Sequence, residues 1–258
     1  MQQNIHGSYN FGLIGYPLEH SFSQMFFGEL FSQDGSGRSY GNFALPELTG
    51  EALYSLLIMN PELKGFNVTA PYKIAIRAFL DSEDATAAEV GAVNTVRVRR
   101  DASGRVLGLD GFNTDVAGFA GALQPLLRAD DKGALVLGTG GASLAAMAAL
   151  RHSGIKALRV SRTPSTDEIA YGDIDARLLA DYPIVVNTTP VGMYPDVDAC
   201  PPFPCELLGP DNLCFDMIYN PERTLFLRRA EARGARTSNG LEMLFGQAMA
   251  ALQIWEQD

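Results

Sequence analysis

Positive charge is scarce in this sequence. Its 258 residues include 20 lysines and arginines against 30 aspartates and glutamates, for a net charge of −10. Proteins that bind nucleic acid or an anionic membrane surface need a basic face. The composition therefore predicts neither as a partner, and any acidic substrate must be held by local groups against the overall field.

Cysteine, histidine and long apolar runs are also few. The three cysteines, at positions 200, 205 and 214, lack CxxC spacing, and the three histidines lie far from them along the chain. We expect free thiols in a reducing compartment and no metal site. Residues 1–10 lack the segments of a signal peptide, and no apolar run reaches the length of a membrane span. These features predict a cytoplasmic location, while the choice between monomer and homodimer stays open.

Strand and helix patterns alternate along most of the chain, which predicts an α/β protein. A charged break at residues 128–133 precedes a new series of buried strands. We predict two domains with a boundary close to Asp115. The first spans residues 1–115 and is completed by the C-terminal segment 237–258, and the second spans 116–236.

Residues 65–73 read Gly-Phe-Asn-Val-Thr-Ala-Pro-Tyr-Lys and predict a short strand that runs into a helix. Lys73 would then lie in the first turn of that helix, at the edge of a sheet, where open parallel sheets bind their ligands. The alternative is a solvated surface lysine. Asn67 and Thr69 on the same strand end favour a polar ligand.

Two serines stand where an earlier strand, residues 11–15, gives way to a helix. Ser21 and Ser23 could serve only as helix caps. Together at a helix N-terminus, their hydroxyls and the free backbone N–H groups form a good carboxylate site. Such a site would let an acidic protein hold an acidic substrate.

Two further segments put polar groups at strand ends. Asn94, three residues after Gly91, could simply stabilise a turn. Asp115 is predicted to be the N-cap of a helix over residues 116–127. Because helix starts line clefts, this capping role does not compete with a role in ligand binding.

A glycine-rich turn, residues 138–143, joins a buried strand to an apolar helix. Glycines at such a turn let the backbone approach a pyrophosphate, although Ser143 stands where the generic pattern wants its last glycine or alanine. The next strand ends in Ser161, Arg162 and Thr163 without an acidic residue. Arginine at this point accommodates the 2′-phosphate of NADP, and the alternative is a surface arginine.

These motifs, in order from about residue 11 to residue 255, resemble the shikimate dehydrogenase family. Residues 67–73 match its Asn-Val-Thr-x-Pro-x-Lys, and residues 138–142 match its Gly-x-Gly-Gly-Ala. Residues 15–23 match Gly-x-Pro-x-x-His-Ser-x-Ser, with Gln24 in place of the usual next proline. Ser161 replaces the asparagine of the family's Asn-Arg-Thr, and no second basic residue follows. We therefore expect a preference for NADP over NAD that is weaker than a site with two cations would give.

The resemblance implies a role for each candidate residue. Lys73 would be the acid/base group, and Asp115 would pair with it, orient it and stabilise its protonated form. The implied substrate contacts are Ser21, Ser23, Thr69, Asn94, Tyr219 and Gln247. The implied cofactor contacts are Gly138, Thr139, Gly140, Gly141, Ala142, Ser161, Arg162, Thr163, Thr188, Met217 and Gly240.

The resemblance also implies an overall design and a reaction. We expect an N-terminal α/β substrate domain and a Rossmann-like, doubly wound NADP-binding domain. The reaction would be the reversible reduction of 3-dehydroshikimate to shikimate with NADPH, in the pathway to aromatic amino acids. Alternatives are a quinate or aminoshikimate dehydrogenase, or a sensor that binds NADP without catalysis. An enzyme of folate or of an aminoacyl thioester is a further alternative, which the Ser-x-Ser and Asn-Val-Thr segments disfavour.

Overall fold

The computed structural model describes residues 9–18 and 22–257. The chain divides into two compact units, Met1–Thr114 with Ala248–Asp258, and Asp115–Gln247. The limits drawn from the sequence differ from this division by Asp115 at the first boundary and by residues 237–247 at the second, and they stay a prediction. Within the described ranges, no helix has both the length and the apolar character needed to cross a bilayer.

The first unit contains a mixed six-stranded sheet in the order β2-β1-β3-β5-β6-β4. The pairs β1–β2, β1–β3 and β4–β6 are parallel, whereas β3–β5 and β5–β6 are antiparallel. The strands are β1 (Phe11–Gly15), β2 (Tyr40–Ala44), β3 (Gly65–Val68), β4 (Ser82–Glu83), β5 (Thr95–Arg100) and β6 (Val106–Phe112).

Three helices belong wholly to this unit: α1 (Phe22–Gln33), α2 (Gly50–Met59) and α3 (Ala85–Val90). Thr49 caps α2 by accepting a hydrogen bond from the Ala52 N–H at 3.1 Å. A hairpin joins the antiparallel strands β5 and β6. Its turn places Gly104 at φ 84°, in the left-handed region that favours glycine.

Apolar side chains cover both faces of this sheet. Leu53, Leu56 and Leu57 of α2 belong to one buried cluster. The other cluster joins α1 to the end of the last helix, where Trp255 stacks on Phe11 and donates its indole N–H to the Val96 carbonyl at 3.0 Å. Burying each such large side chain contributes roughly 2 kcal/mol.

The helix predicted directly after β3 is wrong in position and type. The strand ends at Val68, a turn follows, and a 3-10 helix spans Ala75–Phe79, so Lys73 lies in the turn that precedes it. Pro71 has no N–H to donate, and the Tyr72 N–H bonds to the Thr69 carbonyl at 2.9 Å. This tight i to i+3 bond sets up a turn rather than an α-helix.

The second unit contains a parallel six-stranded sheet in the order β12-β11-β10-β7-β8-β9. In chain order this is the 3-2-1-4-5-6 arrangement of doubly wound dinucleotide-binding folds, which confirms the predicted fold class. The strands are β7 (Gly133–Leu137), β8 (Lys156–Ser161), β9 (Glu168–Ala170), β10 (Ile184–Asn187), β11 (Leu213–Asp216) and β12 (Arg236–Ser238).

The helices that accompany this sheet are α5 (Gly141–His152), α6 (Ala176–Asp181) and α7 (Leu225–Ala232). Two helices run across the unit boundaries, α4 (Thr114–Leu123) at the first and α8 (Leu241–Trp255) at the second. Short 3-10 helices span Gln124–Leu126, Tyr171–Asp173 and Cys205–Leu207. The strand order reverses between β7 and β10, and ligands of such sheets bind at the carboxyl ends of the strands at that point.

Candidate active site

A buried amide organises the polar edge of the first unit. Asn67, on β3, accepts a hydrogen bond from the Tyr40 hydroxyl at 2.8 Å. Its Nδ2 donates to the Asn94 carbonyl at 3.2 Å and to Thr95 Oγ1 at 3.1 Å. The side chain thereby ties β2, on the parallel side of the sheet, to the antiparallel strand β5.

Asn94 extends this network to the start of α4. Its Oδ1 accepts the Thr114 N–H at 2.8 Å, and its Nδ2 donates to Thr114 Oγ1 at 3.0 Å. The Asn94 side chain is 2% exposed, so these bonds form out of water. They fix the point at which β6 gives way to the helix.

The predicted N-cap role of Asp115 is wrong. Helix α4 begins at Thr114, so Asp115 lies in its first turn, and the side chain that receives the Thr114 N–H belongs to the distant Asn94. Asp115 is buried. A carboxylate in a first turn is still favoured by the helix dipole.

Lys73 is attached to this network through the backbone. Its carbonyl accepts the Val93 N–H at 2.7 Å, one residue before Asn94. The neighbouring Tyr72 hydroxyl donates to the Leu45 carbonyl at 2.6 Å, which anchors the same turn. Thr69, at the start of the turn, is partly exposed and donates its N–H to Ile14. The turn that carries Lys73 is therefore held on both sides.

Only one serine of the predicted pair lies within the described residues. Ser21 lies outside the described residues. Ser23, in the first turn of α1, hydrogen-bonds the Tyr40 hydroxyl, and burial raises the pKa of that phenol. Gln24, which stands where the related motif has proline, accepts a hydrogen bond from Asn42 on β2 at 2.8 Å. A side-chain bond to the sheet thus tethers the start of α1.

The glycine-rich turn of the second unit leaves its backbone accessible. Gly138 has φ 108°, and a Cβ there would lie 2.9 Å from Thr188 Oγ1 and 3.0 Å from Thr189 Cγ2. Gly140 is the N-cap of α5 and makes no side-chain cap, and a Cβ at Gly140 would meet no atom within 4 Å. Thr139 is exposed, while Gly141 and Ala142 begin the helix.

This arrangement fits a dinucleotide diphosphate. The first N–H groups of a helix have no partner within the helix, and the space beside Gly140 is open. Ser143, at the place of the third glycine, is fully buried, and its Oγ has no hydrogen-bond partner among the described residues. Burying that hydroxyl without a hydrogen bond lowers the stability of the fold by roughly 1–3 kcal/mol. Its burial indicates a packing role for Ser143 rather than a ligand contact.

The end of β8 carries the three residues predicted to meet the adenine ribose. Ser161 is buried and its Oγ accepts the Thr163 N–H at 3.2 Å, whereas Arg162 and Thr163 are exposed. Ser161 pairs with Ala170 of β9, so Arg162 and Tyr171 directly follow the paired ends of two neighbouring parallel strands. Burial raises the pKa of Tyr171, and the Arg162 charge opposes that shift.

Tyr171 is a residue that the sequence analysis missed. Its position beside Arg162 depends on the register of β9, a strand of three residues that gives no periodic signal.

A second buried network lies at the ends of β10 and β11. The Asp216 carboxylate is 0% exposed and accepts hydrogen bonds from Asn187 Nδ2 at 3.0 Å, the Ile218 N–H at 3.0 Å and Thr224 Oγ1 at 2.6 Å. Burial nevertheless dominates and raises the pKa of Asp216 to about 6. This network fixes the loop that follows each strand.

The remaining cofactor candidates adjoin this network. Thr188 donates its hydroxyl to the Leu137 carbonyl at 2.6 Å, which closes the turn at the strand-order reversal. Gly240 donates its N–H to the Ile218 carbonyl at 3.1 Å, and a Cβ at Gly240 would collide with the Met217 carbonyl. Met217 is partly exposed, so close backbone packing presents it at the strand end.

Tyr219 and Gln247 are the last two substrate candidates. Tyr219 is half-buried, and burial raises its pKa. Gln247 is buried on α8 and donates to the Leu244 carbonyl at 3.1 Å. Helix α8 crosses α4 closely there, since a Cβ at Gly118 would lie 3.0 Å from Gln247 Cβ.

The structure brings some candidates together within each unit. Asn94 shares one network with Asn67, and Lys73 is tied to it through Val93. In the second unit, Gly138 abuts Thr188, and Met217 abuts Gly240. Over residues 9–18 and 22–257, no group of three or more His, Cys, Asp or Glu side chains is arranged to hold a metal ion.

Comparisons with known proteins point to one family. A family model described as the shikimate dehydrogenase substrate binding domain matches residues 13–96. A shikimate dehydrogenase (NADP+) of Desulforamulus reducens is 35% identical over an alignment of 265 residues. The alignment covers 95% of this chain and 88% of that protein.

Two solved structures extend the comparison. The crystal structure of shikimate 5-dehydrogenase from Thermus thermophilus, in complex with NADP(H) and shikimate, has a TM-score of 0.81 and 34% identity, covering 96% of this chain and 93% of that one. A 5-ketofructose reductase of a Gluconobacter species has a TM-score of 0.79 and 27% identity, covering 97% and 93%.

The raised pKa of Asp216 predicts a pH dependence of stability. Between its usual pKa of 3.8 and its folded value of about 6, the folded state takes up a proton that the unfolded state does not. The stabilisation of the fold by the protonated Asp216 carboxyl is therefore complete below pH 3.8, and it is lost as the pH rises through 6. Relative to Asp216→Asn, the parent should gain about 1 kcal/mol of unfolding free energy when the pH falls from 7 to 5.

Urea unfolding of both proteins at the two pH values measures this difference. A stability difference that does not change with pH would show that Asp216 titrates as an ordinary carboxylate. An Asp211→Asn variant, altered at an exposed carboxylate, serves as the matched control.

Proposed function

The chain belongs to the shikimate dehydrogenase family, and we propose that it reduces 3-dehydroshikimate reversibly to shikimate with NADPH. The predicted resemblance is confirmed by relatives at about one-third identity along nearly the whole chain. The enzyme is thus an oxidoreductase acting on a CH–OH group, in the pathway that leads to aromatic amino acids.

One structural observation carries the proposal for the substrate. The buried network of Asn67, Asn94 and Thr114 supports the turn that bears Lys73, so amide, hydroxyl and ammonium groups belong to one edge of one sheet. A polyhydroxylated ring acid offers hydroxyl and carboxylate groups that such an edge can bind. We propose substrate contacts from Ser21, Ser23, Thr69, Asn94, Tyr219 and Gln247.

NADP is the proposed cofactor, and the second unit supplies its binding groups. The first turn of α5 would hold the diphosphate, and Arg162 would hold the 2′-phosphate of the adenosine. When bound, NADPH supplies the hydride for the reduction. The further proposed contacts are Gly138, Thr139, Gly140, Gly141, Ala142, Ser161, Thr163, Thr188, Met217 and Gly240.

Lys73 and Asp115 are the proposed catalytic pair. As the ketone carbon is reduced, negative charge develops on its oxygen, and the Lys73 ammonium stabilises that charge and donates a proton to it. Asp115 orients the lysine and bonds a substrate hydroxyl. In the reverse direction, Lys73 accepts the proton of the alcohol.

Related substrates are the nearest alternatives. The Gluconobacter relative is named for another ketone, 5-ketofructose, so this fold accepts more than one carbonyl substrate. Quinate has a saturated ring with one more hydroxyl group than shikimate, and aminoshikimate carries an amino group in place of one hydroxyl. The cytoplasmic location and the choice between monomer and homodimer also stay predictions.

A spectroscopic assay of NADP+ reduction tests the activity and the role of Lys73 together. The parent should oxidise shikimate in preference to quinate. Lys73→Ala should lower kcat by roughly 100- to 10,000-fold, because a general acid contributes that much to proton transfer. Shikimate binding, followed by calorimetry, should survive.

The matched control is Lys64→Ala, which removes an exposed lysine beside the same strand and should leave kcat unchanged. If the parent binds NADP+ but turns over no ring acid, the chain is a sensor. If Lys73→Ala retains parental turnover, another group donates the proton.

A second variant tests cofactor choice. Arg162→Gln should lower kcat/KM for NADP+ about 10- to 100-fold, because one charge-assisted hydrogen bond to phosphate is lost. The value for NAD+, which lacks the 2′-phosphate, should not change. Arg177→Gln, at an exposed arginine on α6, is the control. A parental preference for NAD+ would contradict the assignment.

A further inference from the structure

The three cysteines gather in one buried cluster of the second unit. Cys205 and Cys214 belong to its apolar core, and Cys200 packs against them while staying partly exposed. All three are free thiols. The sequence spacing alone did not indicate that these side chains meet.

The chain between Cys200 and Cys205 is folded back on itself. Three of the four intervening residues are prolines, and two tight bonds shorten the path: the Phe203 N–H donates to the Pro201 carbonyl at 2.7 Å, and the Cys205 N–H donates to the Phe203 carbonyl at 2.8 Å. The Cys200 and Cys205 side chains hydrogen-bond to each other. Prolines limit the unfolding of this turn, so the two thiols are held in contact.

The surroundings make the two thiols unequal. The hydrogen bond from Cys205 and the Arg229 guanidinium lower the pKa of Cys200, against the opposing effects of burial and of Asp216. The hydrogen bond to Cys200 and burial raise the pKa of Cys205. Cys214 lies in the centre of β11, fully buried, and its pKa is raised by burial to about 12. A thiolate with a cationic neighbour and access to solvent is the reactive form of cysteine.

We propose that Cys200 and Cys205 form a redox-active dithiol, in which Cys200 reacts first with a hydroperoxide and Cys205 then closes a disulfide. This modification site is independent of the dehydrogenase reaction. It follows from the paired side chains, the proline-locked turn and the adjacent Arg229.

The steps balance with hydrogen peroxide as the oxidant. The Cys200 thiolate attacks one peroxide oxygen, the O–O bond breaks, and hydroxide leaves and is protonated to water, with Cys200 now a sulfenic acid. The Cys205 sulfur then gives up its proton and displaces the sulfenic hydroxyl, which leaves as a second water. Two thiols lose two electrons in total, and one peroxide gains them.

The disulfide would form next to the second buried network. Cys200 follows Ala199, whose carbonyl lies 2.9 Å from where a Cβ at Gly192 would stand, and Gly192 also approaches Thr224. Thr224 is the residue that donates to Asp216. Cys200 therefore lies in the loop that begins at the proposed cofactor contact Thr188.

Mass spectrometry of the full-length folded protein tests the proposal. After stoichiometric hydrogen peroxide and alkylation of the remaining thiols, the peptide containing Cys200 and Cys205 should have lost two hydrogens and escaped alkylation. Cys205→Ser should stop at the sulfenic acid of Cys200, which dimedone traps. Cys214→Ala should form the bridge as the parent does.

Arg229→Gln should slow the oxidation of Cys200 several-fold because the thiolate loses its cation. Arg228→Gln, at another exposed residue of α7, is the matched control and should react like the parent. Both substitutions lie on the helix surface, and circular dichroism checks their fold. The proposal is overturned if the native parent forms no bridge, if the bridge involves Cys214, or if oxidation requires prior unfolding in urea.

Discussion

The polar edge of the first unit depends on one buried amide. Asn67 accepts from Tyr40 on one side and donates to Asn94 and Thr95 on the other, with 4% of its surface exposed. In a low-dielectric interior an unpaired amide is costly, so each partner constrains the others. The sheet changes from parallel to antiparallel pairing at β3, and the Asn67 side chain bonds groups on both sides of that change. The turn with Lys73 and the first residue of α4 take their positions from this network.

The second unit uses a similar device at its strand-order reversal. Asn187 and Asp216 stand at the ends of neighbouring parallel strands and share a hydrogen bond, while Thr188 bonds back to β7. The buried Asp216 carboxylate fixes two loops at once, and its burial raises its pKa. Backbone groups are thereby left to face a diphosphate, and close glycine contacts at Gly138 and Gly240 replace side-chain bulk. Rigid loops at this crevice are what a dinucleotide site requires.

Sequence patterns were most informative where burial alone sets the structure. The buried strand Ile184–Asn187 begins with an apolar run, and the helix Leu241–Trp255 carries a continuous amphipathic stripe, so local patterns leave little choice there. Prediction failed where a few individual hydrogen bonds, distant or local, set the backbone path. The start of α4 depends on Asn94, twenty residues earlier, and the turn at Lys73 depends on local 3-10 bonds around a proline. The position of Tyr171 depends on the register of the short strand β9, and the thiol pair depends on the folded turn of residues 200–205, neither of which sequence periodicity resolves.

The direct test of this account is the unfolding of Asn67→Leu, a substitution of similar volume that removes all three hydrogen bonds. Because the buried partners lose their bonds, urea unfolding should show a loss of about 2–3 kcal/mol relative to the parent. Asn42→Leu breaks the one bond of this side chain seen among the described residues, to an exposed glutamine, and should cost less than about 1 kcal/mol. If Asn67→Leu unfolds at the same urea concentration as the parent, the Asn67 network does not hold this edge of the sheet, and the account is contradicted.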